Sequence, residues 1–212
     1  MQEMTSKDQS LQEFKDCRII QLREDLEFAE RISVEEVAAQ IREIGFECTK
    51  CGECCIGDDN SVVVFPFEIR HIIAATGEGW LDTVQPPAEG EWDSQGNFHT
   101  LEWRMKKENG SCKFYSNGQC KIYNVRPFIC STYPFYLDNG ILRYSECRGL
   151  GKEIEPSEAE KIASLIKERN IVEIREAIAL LDKYKDFDRG KAMTKATCII
   201  VHDSEGKQIF NP

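Results

Sequence analysis

The string Cys48-Thr49-Lys50-Cys51-Gly52-Glu53-Cys54-Cys55 places four cysteines within eight residues. Thiols so close in sequence cannot pair among themselves as several unstrained disulfides. Four more, Cys112, Cys120, Cys130 and Cys147, follow at intervals of 8, 10 and 17 residues. Turn residues such as Ser116-Asn117-Gly118 separate them, as expected of loops wrapped round a metal. Clustered cysteines in an intracellular chain bind metal more often than they form disulfides. The eight are therefore expected to be metal ligands. Cys17 and Cys198 stand apart in apolar-looking surroundings and are expected to be buried small hydrophobes.

The interval C-x2-C-x2-C made by Cys48, Cys51 and Cys54 repeats the first three ligands of a bacterial ferredoxin-type cluster, whose fourth ligand comes from elsewhere. Adjacent side chains such as Cys54 and Cys55 point apart in extended backbone, which suits two neighbouring sites better than one. Eight thiolates divide into two sets of four, enough for two clusters, two zinc ions or one of each. Structural zinc sites usually draw pairs of C-x2-C knuckles, and the later four cysteines contain none. The expected cofactor is thus an iron–sulfur cluster, 4Fe–4S, one or two, with zinc as the alternative. Thiolate sites carry negative charge that must be offset when buried. Arg126, bracketed by Cys120 and Cys130, and Arg148, directly after Cys147, are the candidates to line the cofactor. Pro127 biases Arg126 toward an extended conformation.

Helices are expected on both sides of the cysteines. Ile19, Leu22, Leu26 and Ala29 form an apolar stripe; Ser33 and Glu36 read as a capping box, and Gly45 as the glycine that ends that helix. The cysteine string therefore starts in a loop. A short β run at 61–65 is followed by a helix from Pro66 to Ala75, closed by Gly77 and Gly79. Residues 80–100 read as a loop with a hairpin at 94–97. Asp138-Asn139-Gly140 is a strong hairpin turn. Pro156, Ser157 and Glu160 open another helix, and Ile174, Ala177, Ile178, Leu181 and Tyr184 make a second stripe. A last hairpin is expected at 197–201 and 208–210. The expected fold class is α+β: a small irregular β core around a Cys-ligated metal centre, flanked by N- and C-terminal helices. Its segments are a helical 1–45, a cysteine domain 46–152, a helical 153–190 and a hairpin or tail 191–212.

The 212 residues carry a net charge of −10, which argues against nucleic-acid binding, since phosphates need a basic stripe. No apolar run is long enough to span a bilayer, and the polar residues 1–16 lack a secretory core, so a cytoplasmic location with no membrane insertion is expected. No glycine-rich nucleotide fingerprint or phosphate loop occurs. His71, His99 and His202 are isolated in sequence and read as surface or core residues, with His99 the best placed of the three for a ligand role.

Over about residues 46–152 the pattern Cys48-x2-Cys51-Gly52-x-Cys54-Cys55, then Cys120-x-Ile122-Tyr123-x2-Arg126-Pro127-x2-Cys130-x2-Tyr133-Pro134, then Cys147 with Gly149, resembles the YkgJ-like CxxCxxCC family. Every cysteine associated with the pattern is present, and the flanking helices are not part of it. The resemblance is strongest to archaeal, anaerobe-type members. It implies a zinc- or iron-chelating domain, and many members are iron–sulfur proteins. Some relatives carry the domain in flagellin lysine methylases, so a subunit of a methyl- or electron-transfer enzyme is a further alternative. The expectation from all of this is a non-catalytic accessory or redox- and oxygen-sensing protein that docks on a larger complex, a metalloenzyme. The alternative is a structural zinc module that presents its helices to a partner.

Ligation contributes folding energy. Cys51→Ala or Cys130→Ala is therefore expected to lower metal content and solubility together, whereas Cys17→Ala and Cys198→Ala leave metal content intact. Metal analysis of the purified variants checks the division.

Overall fold

Hydrophobic residues at helical spacing on both sides of the cysteine string come together in one helical layer. The computed structural model describes residues 6–57 and 61–211. Residues 1–5 of the expected N-terminal segment and residue 212 of the expected tail lie outside them. The helices are α1 (Ser6–Arg31), α2 (Val34–Ile44), α3 (Pro66–Thr76), α4 (Trp80–Thr83), α5 (Phe128–Thr132) and α6 (Pro156–Lys183). Both α1 and α2 pack along α6. Val37, Ala38 and Ile41 of α2 meet Ala159, Ile162, Ala163 and Ile166 of α6, and Phe46, Phe135 and Leu142 complete this core.

Local chemistry sets the ends of these helices. Ser33 Oγ accepts the Glu36 amide at 3.1 Å, half of the expected capping box, while its own hydroxyl donates to Glu35 at 3.0 Å. Gly45 ends α2 at φ 75° and donates to Ile41 O. Lys15 of α1 is buried and donates to Tyr184 O at 2.7 Å. It thereby sets an ammonium at the C-terminal end of α6, where the helix dipole favours it. The stripe Ile174, Ala177, Ile178 and Leu181 belongs to this same 28-residue helix, half-buried along its length. Cys17 departs from expectation. It lies two positions before buried Ile19, about 200° round the helix, and is exposed.

The β structure consists of short pieces. The strands are β1 (Val63–Val64), β2 (Val84–Gln85), β3 (Glu91–Trp92), β4 (Phe98–Leu101), β5 (Trp103–Met105), β6 (Lys107–Glu108), β7 (Ser111–Cys112), β8 (Tyr115–Ser116), β9 (Gln119–Cys120), β10 (Phe135–Asp138), β11 (Ile141–Tyr144), β12 (Ile199–Asp203) and β13 (Gly206–Phe210). One antiparallel sheet has the order β1-β5-β2; β6-β7, β8-β9 and β10-β11 are separate hairpins. Asn139 and Gly140 both take positive φ in the last of these, as the two-residue turn requires. The C-terminal hairpin starts two residues later than expected, and its second strand begins two residues earlier. It is also not a free tail, because β12 pairs parallel with β4 and completes the four-stranded order β13-β12-β4-β3. Val64, Ile69, Ile72, Val84, Trp103, Met105, Phe114, Ile122 and Val201 make a second core. The mixture of long helices and small sheets is an α+β architecture.

One buried carboxylate ties this second core to the cysteine loops. Glu68 of α3 accepts the Phe65 amide at 3.0 Å and the Phe128 amide at 2.7 Å. The first bond caps its own helix, and the second holds the start of α5, which carries Cys130. Burial pushes the Glu68 carboxyl above its ordinary pKa, and the two amides act against that. At its other end α5 is tied to α6 by Arg169, which donates to Thr132 Oγ1 at 2.9 Å. An amide left unsatisfied inside a protein costs about 1–3 kcal/mol. Glu68→Ala, which orphans two, is expected to be among the more destabilising single changes and Glu68→Gln a milder one, as measured by denaturant unfolding.

Candidate metal centre

The cysteine string is held in place by backbone pairing at both of its ends. Phe46 bridges to Leu150, and Glu47 N donates to Gly149 O at 3.0 Å. A Cβ on Gly149 would stand 2.3 Å from Glu47 O, so glycine is needed for this approach, which brings the Cys147 loop against the residues before Cys48. Gly52 takes φ 78°, and the Tyr115 ring fills the place its Cβ would occupy. The Tyr115 hydroxyl donates to Cys51 O at 3.2 Å. Residues Glu53–Cys55 form a 3-10 turn, after which Ile56 bridges to Ser111 and Gly57 N donates to Gly110 O. The hairpins β6-β7 and β8-β9 then carry Cys112 and Cys120, opposite Lys107 and Tyr115.

These segments surround one cavity of about 320 Å³, and all eight cysteines of the motif line it. Cys48 and Cys51 are exposed at its mouth, whereas Cys54, Cys55, Cys112, Cys120, Cys130 and Cys147 are partly buried. The remaining two cysteines lie elsewhere: Cys17 is on the outer face of α1, and Cys198, partly buried, donates to Asn97 Oδ1 at 2.9 Å. Arg126 is in the lining; its guanidinium sits 3.6 Å above the Tyr123 ring and its Nε donates to Tyr123 O at 2.9 Å. Arg148 is outside the lining, exposed, and paired with Glu53. Tyr115, Tyr123 and Tyr133 also line the cavity; Tyr123 and Tyr133 stand in the sequence pattern with no role assigned to them, and Tyr115, outside it, carries no signal beyond lying near cysteines.

Cys54 and Cys55 do not point apart. In the 3-10 turn, unlike a strand, neighbouring side chains diverge by less than a half-turn, and the two sulfurs lie 3.9 Å from each other. The two thiols share one hydrogen bond; that bond and Arg126 draw Cys54 down to about 7, while the bond and burial drive Cys55 far up. Burial also raises Cys130, with Cys112 and Cys54 adding to it. Cys112 and Cys147 are raised chiefly by burial, opposed by backbone amides of Phe114 and Gly149 respectively. Such a group of thiols ionises together only when a cation takes up the charge.

That donor set fits a thiophilic metal: eight sulfurs and one guanidinium face a common space. Among the described residues, no three Cys, His, Asp or Glu side chains already stand at single-ion ligation distance; the sulfurs are spread round the cavity wall. A cavity walled by cysteines in this way defines a cysteine-rich, metal-chelating domain. Residues 47–150, about half of the chain and all eight of these cysteines, belong to the CxxCxxCC family, described as "Putative zinc- or iron-chelating domain". Comparison with curated proteins and with solved structures finds no significant match. No helix among the described residues is long and apolar enough to cross a membrane.

Two of the histidines that look isolated in sequence meet in the fold. The parallel pairing of β4 with β12 brings His99 Nδ1 to 2.9 Å from His202 Nε2, and His99 Nε2 lies 3.1 Å from Asp93 Oδ2. Both rings are buried and line a second cavity of about 310 Å³ with Tyr184, Phe187 and Arg104. A separation of 103 residues leaves no local pattern by which this could be read. Burial, helped by His99 and Lys207, lowers the His202 pKa to about 4. Asp93 stays ionised: burial raises it, but the Asn97 amide and side chain, His99 and Gln95 together bring it to about 2. With the folded pKa of His202 below the unfolded value of about 6.5, the unfolded chain binds the extra proton first. Stability is thus expected to fall as pH drops from about 6.5 to 4, by on the order of 3 kcal/mol. Urea unfolding across that range checks this, and His202→Gln is expected to flatten the slope.

Proposed function

We propose that residues 46–152 hold an iron–sulfur centre, one or two 4Fe–4S clusters, on the eight motif cysteines. In this reading the chain is a redox- or oxygen-responsive accessory protein docked on a larger partner, a metalloenzyme complex. The observation that carries the proposal is the placement of eight thiols round one cavity of about 320 Å³. Zinc–sulfur bonds of about 2.3 Å draw four ligands onto a point; a polynuclear cluster brings its own volume and needs a space. A bound cluster supplies one-electron redox chemistry. Arg126 faces that space and offsets part of the negative charge of the thiolates, and its stacking on Tyr123 holds it there. Cys48 and Cys51, exposed at the mouth, leave the centre open to oxygen, and loss of ligation would loosen the cysteine loops between their backbone anchors. Phe14 and Ile20 on α1 and Ile141 and Tyr144 on β11 are exposed, apolar surface that supports docking.

A second reading, structural zinc, is favoured by the donor set itself: eight thiols round the cavity suffice for two four-sulfur sites, the usual structural choice of that metal. The two readings separate on purification. Anaerobically prepared protein is expected to contain iron and acid-labile sulfide and to lose its visible absorbance in air. Stoichiometric zinc with no iron after anaerobic reconstitution would overturn the iron–sulfur reading.

A further inference from the structure

We infer that the eight cysteines form two ligand sets that hold two separate metal centres: Cys48, Cys51, Cys54 and Cys147 in one, and Cys55, Cys112, Cys120 and Cys130 in the other. The inference rests on the reading of the cavity as a metal–thiolate site, but not on which metal fills it.

Backbone pairing divides the segments in this way. The arm that enters at Cys48 is joined to the arm of Cys147 by the Phe46–Leu150 bridge and the bond from Glu47 N to Gly149 O. Gly149 N also donates to the Cys147 sulfur at 3.4 Å, fixing that side chain beside the string. Cys51 and Cys54 follow Cys48 at the spacing by which one short loop ligates one cluster. The arm that leaves at Cys55 is joined instead to β7. The Ile56–Ser111 bridge sets one residue beyond Cys55 against one residue before Cys112. The next hairpin places Cys120 opposite Tyr115, and Cys130 enters on α5 through the Glu68 anchor.

The two hydrophobic cores divide the same residues. Cys147 packs against the helical core with Phe46, while Cys112 and Cys120 pack against the β core with Phe114 and Ile122. Cys147 thus hangs from the helical core and Cys112 and Cys120 from the β core, and the cavity, lined by Phe46 on one side and Met105 and Ile122 on the other, lies where the two meet. The sets touch at the Cys54–Cys55 pair, 3.9 Å between sulfurs, so one peptide bond links the two centres.

The test counts metal in the full-length chain. After anaerobic reconstitution with iron and sulfide, Cys48→Ser/Cys147→Ser and Cys112→Ser/Cys120→Ser are each expected to keep about half of the wild-type iron. The crossed pair Cys147→Ser/Cys112→Ser is expected to keep almost none. A within-set pair that loses all of its iron, or a crossed pair that loses no more than a within-set pair, overturns the division. Should the variants fail to fold, the wild-type chain decides alone: loaded with zinc, it is expected to bind two ions, each with four sulfur ligands by X-ray absorption, and a single ion overturns the inference. The outcomes also separate the two readings. Two zinc ions with no iron uptake refute the iron–sulfur function and uphold the division, whereas one cluster per chain does the reverse.

Discussion

Eight thiols facing a common cavity must be held there by something other than their own burial. Burial favours their neutral form, and any two that ionise repel each other. The segments that carry them are poor in structure: two-residue strands, single 3-10 turns and a five-residue helix. A lone hairpin of this size is marginal in water. The geometry of the site therefore depends on anchors just outside it. The most consequential is the pairing of residues 46 and 47 with 149 and 150, which closes the cysteine domain on itself where α2 ends.

From that closure the rest follows. Phe46 is part of the helical core, so the point where the chain enters and leaves the cysteine domain is also where it is gripped by α2 and α6. On the opposite side Glu68 takes two backbone amides at once and fixes the start of α5 against α3. Arg169 fixes the end of α5 to α6. The long helices are thus part of how the cysteine loops are positioned, which explains why so small a metal domain carries so much helix. It also explains why metal and fold stability are expected to be coupled in this chain.

Electrostatics at the cavity are asymmetric. Arg126 is the cation in the lining that acts on Cys54 and Cys130, whereas Arg148, outside the lining, is exposed and paired with Glu53. The reading of both arginines as charge partners rested on adjacency to cysteines in sequence. Adjacency placed Arg126 in a turn whose Tyr123 ring holds the guanidinium over the cavity. It left Arg148 on an exposed bend with a carboxylate within reach. The same limit applies to Cys54 and Cys55, whose divergence was argued for an extended backbone that the 3-10 turn does not provide.

Local chemistry was legible from the sequence alone. The end of α2 at Gly45, the Asp138-Asn139-Gly140 turn and the helix opening at Pro66 all depend on residues within a turn or two of each other. The C-x2-C-x2-C interval and the family pattern belong to the same class, because ligand spacing is a property of a short loop. What tertiary structure alone decided involves long-range pairing. The parallel β4–β12 contact, the meeting of His99 with His202 and the two-pronged role of Glu68 join residues that are 60 to 103 positions apart. The exposure of Cys17 has a related reason: which face of α1 is covered depends on where α6 lies, and composition around one residue carries no information about a helix 140 residues away.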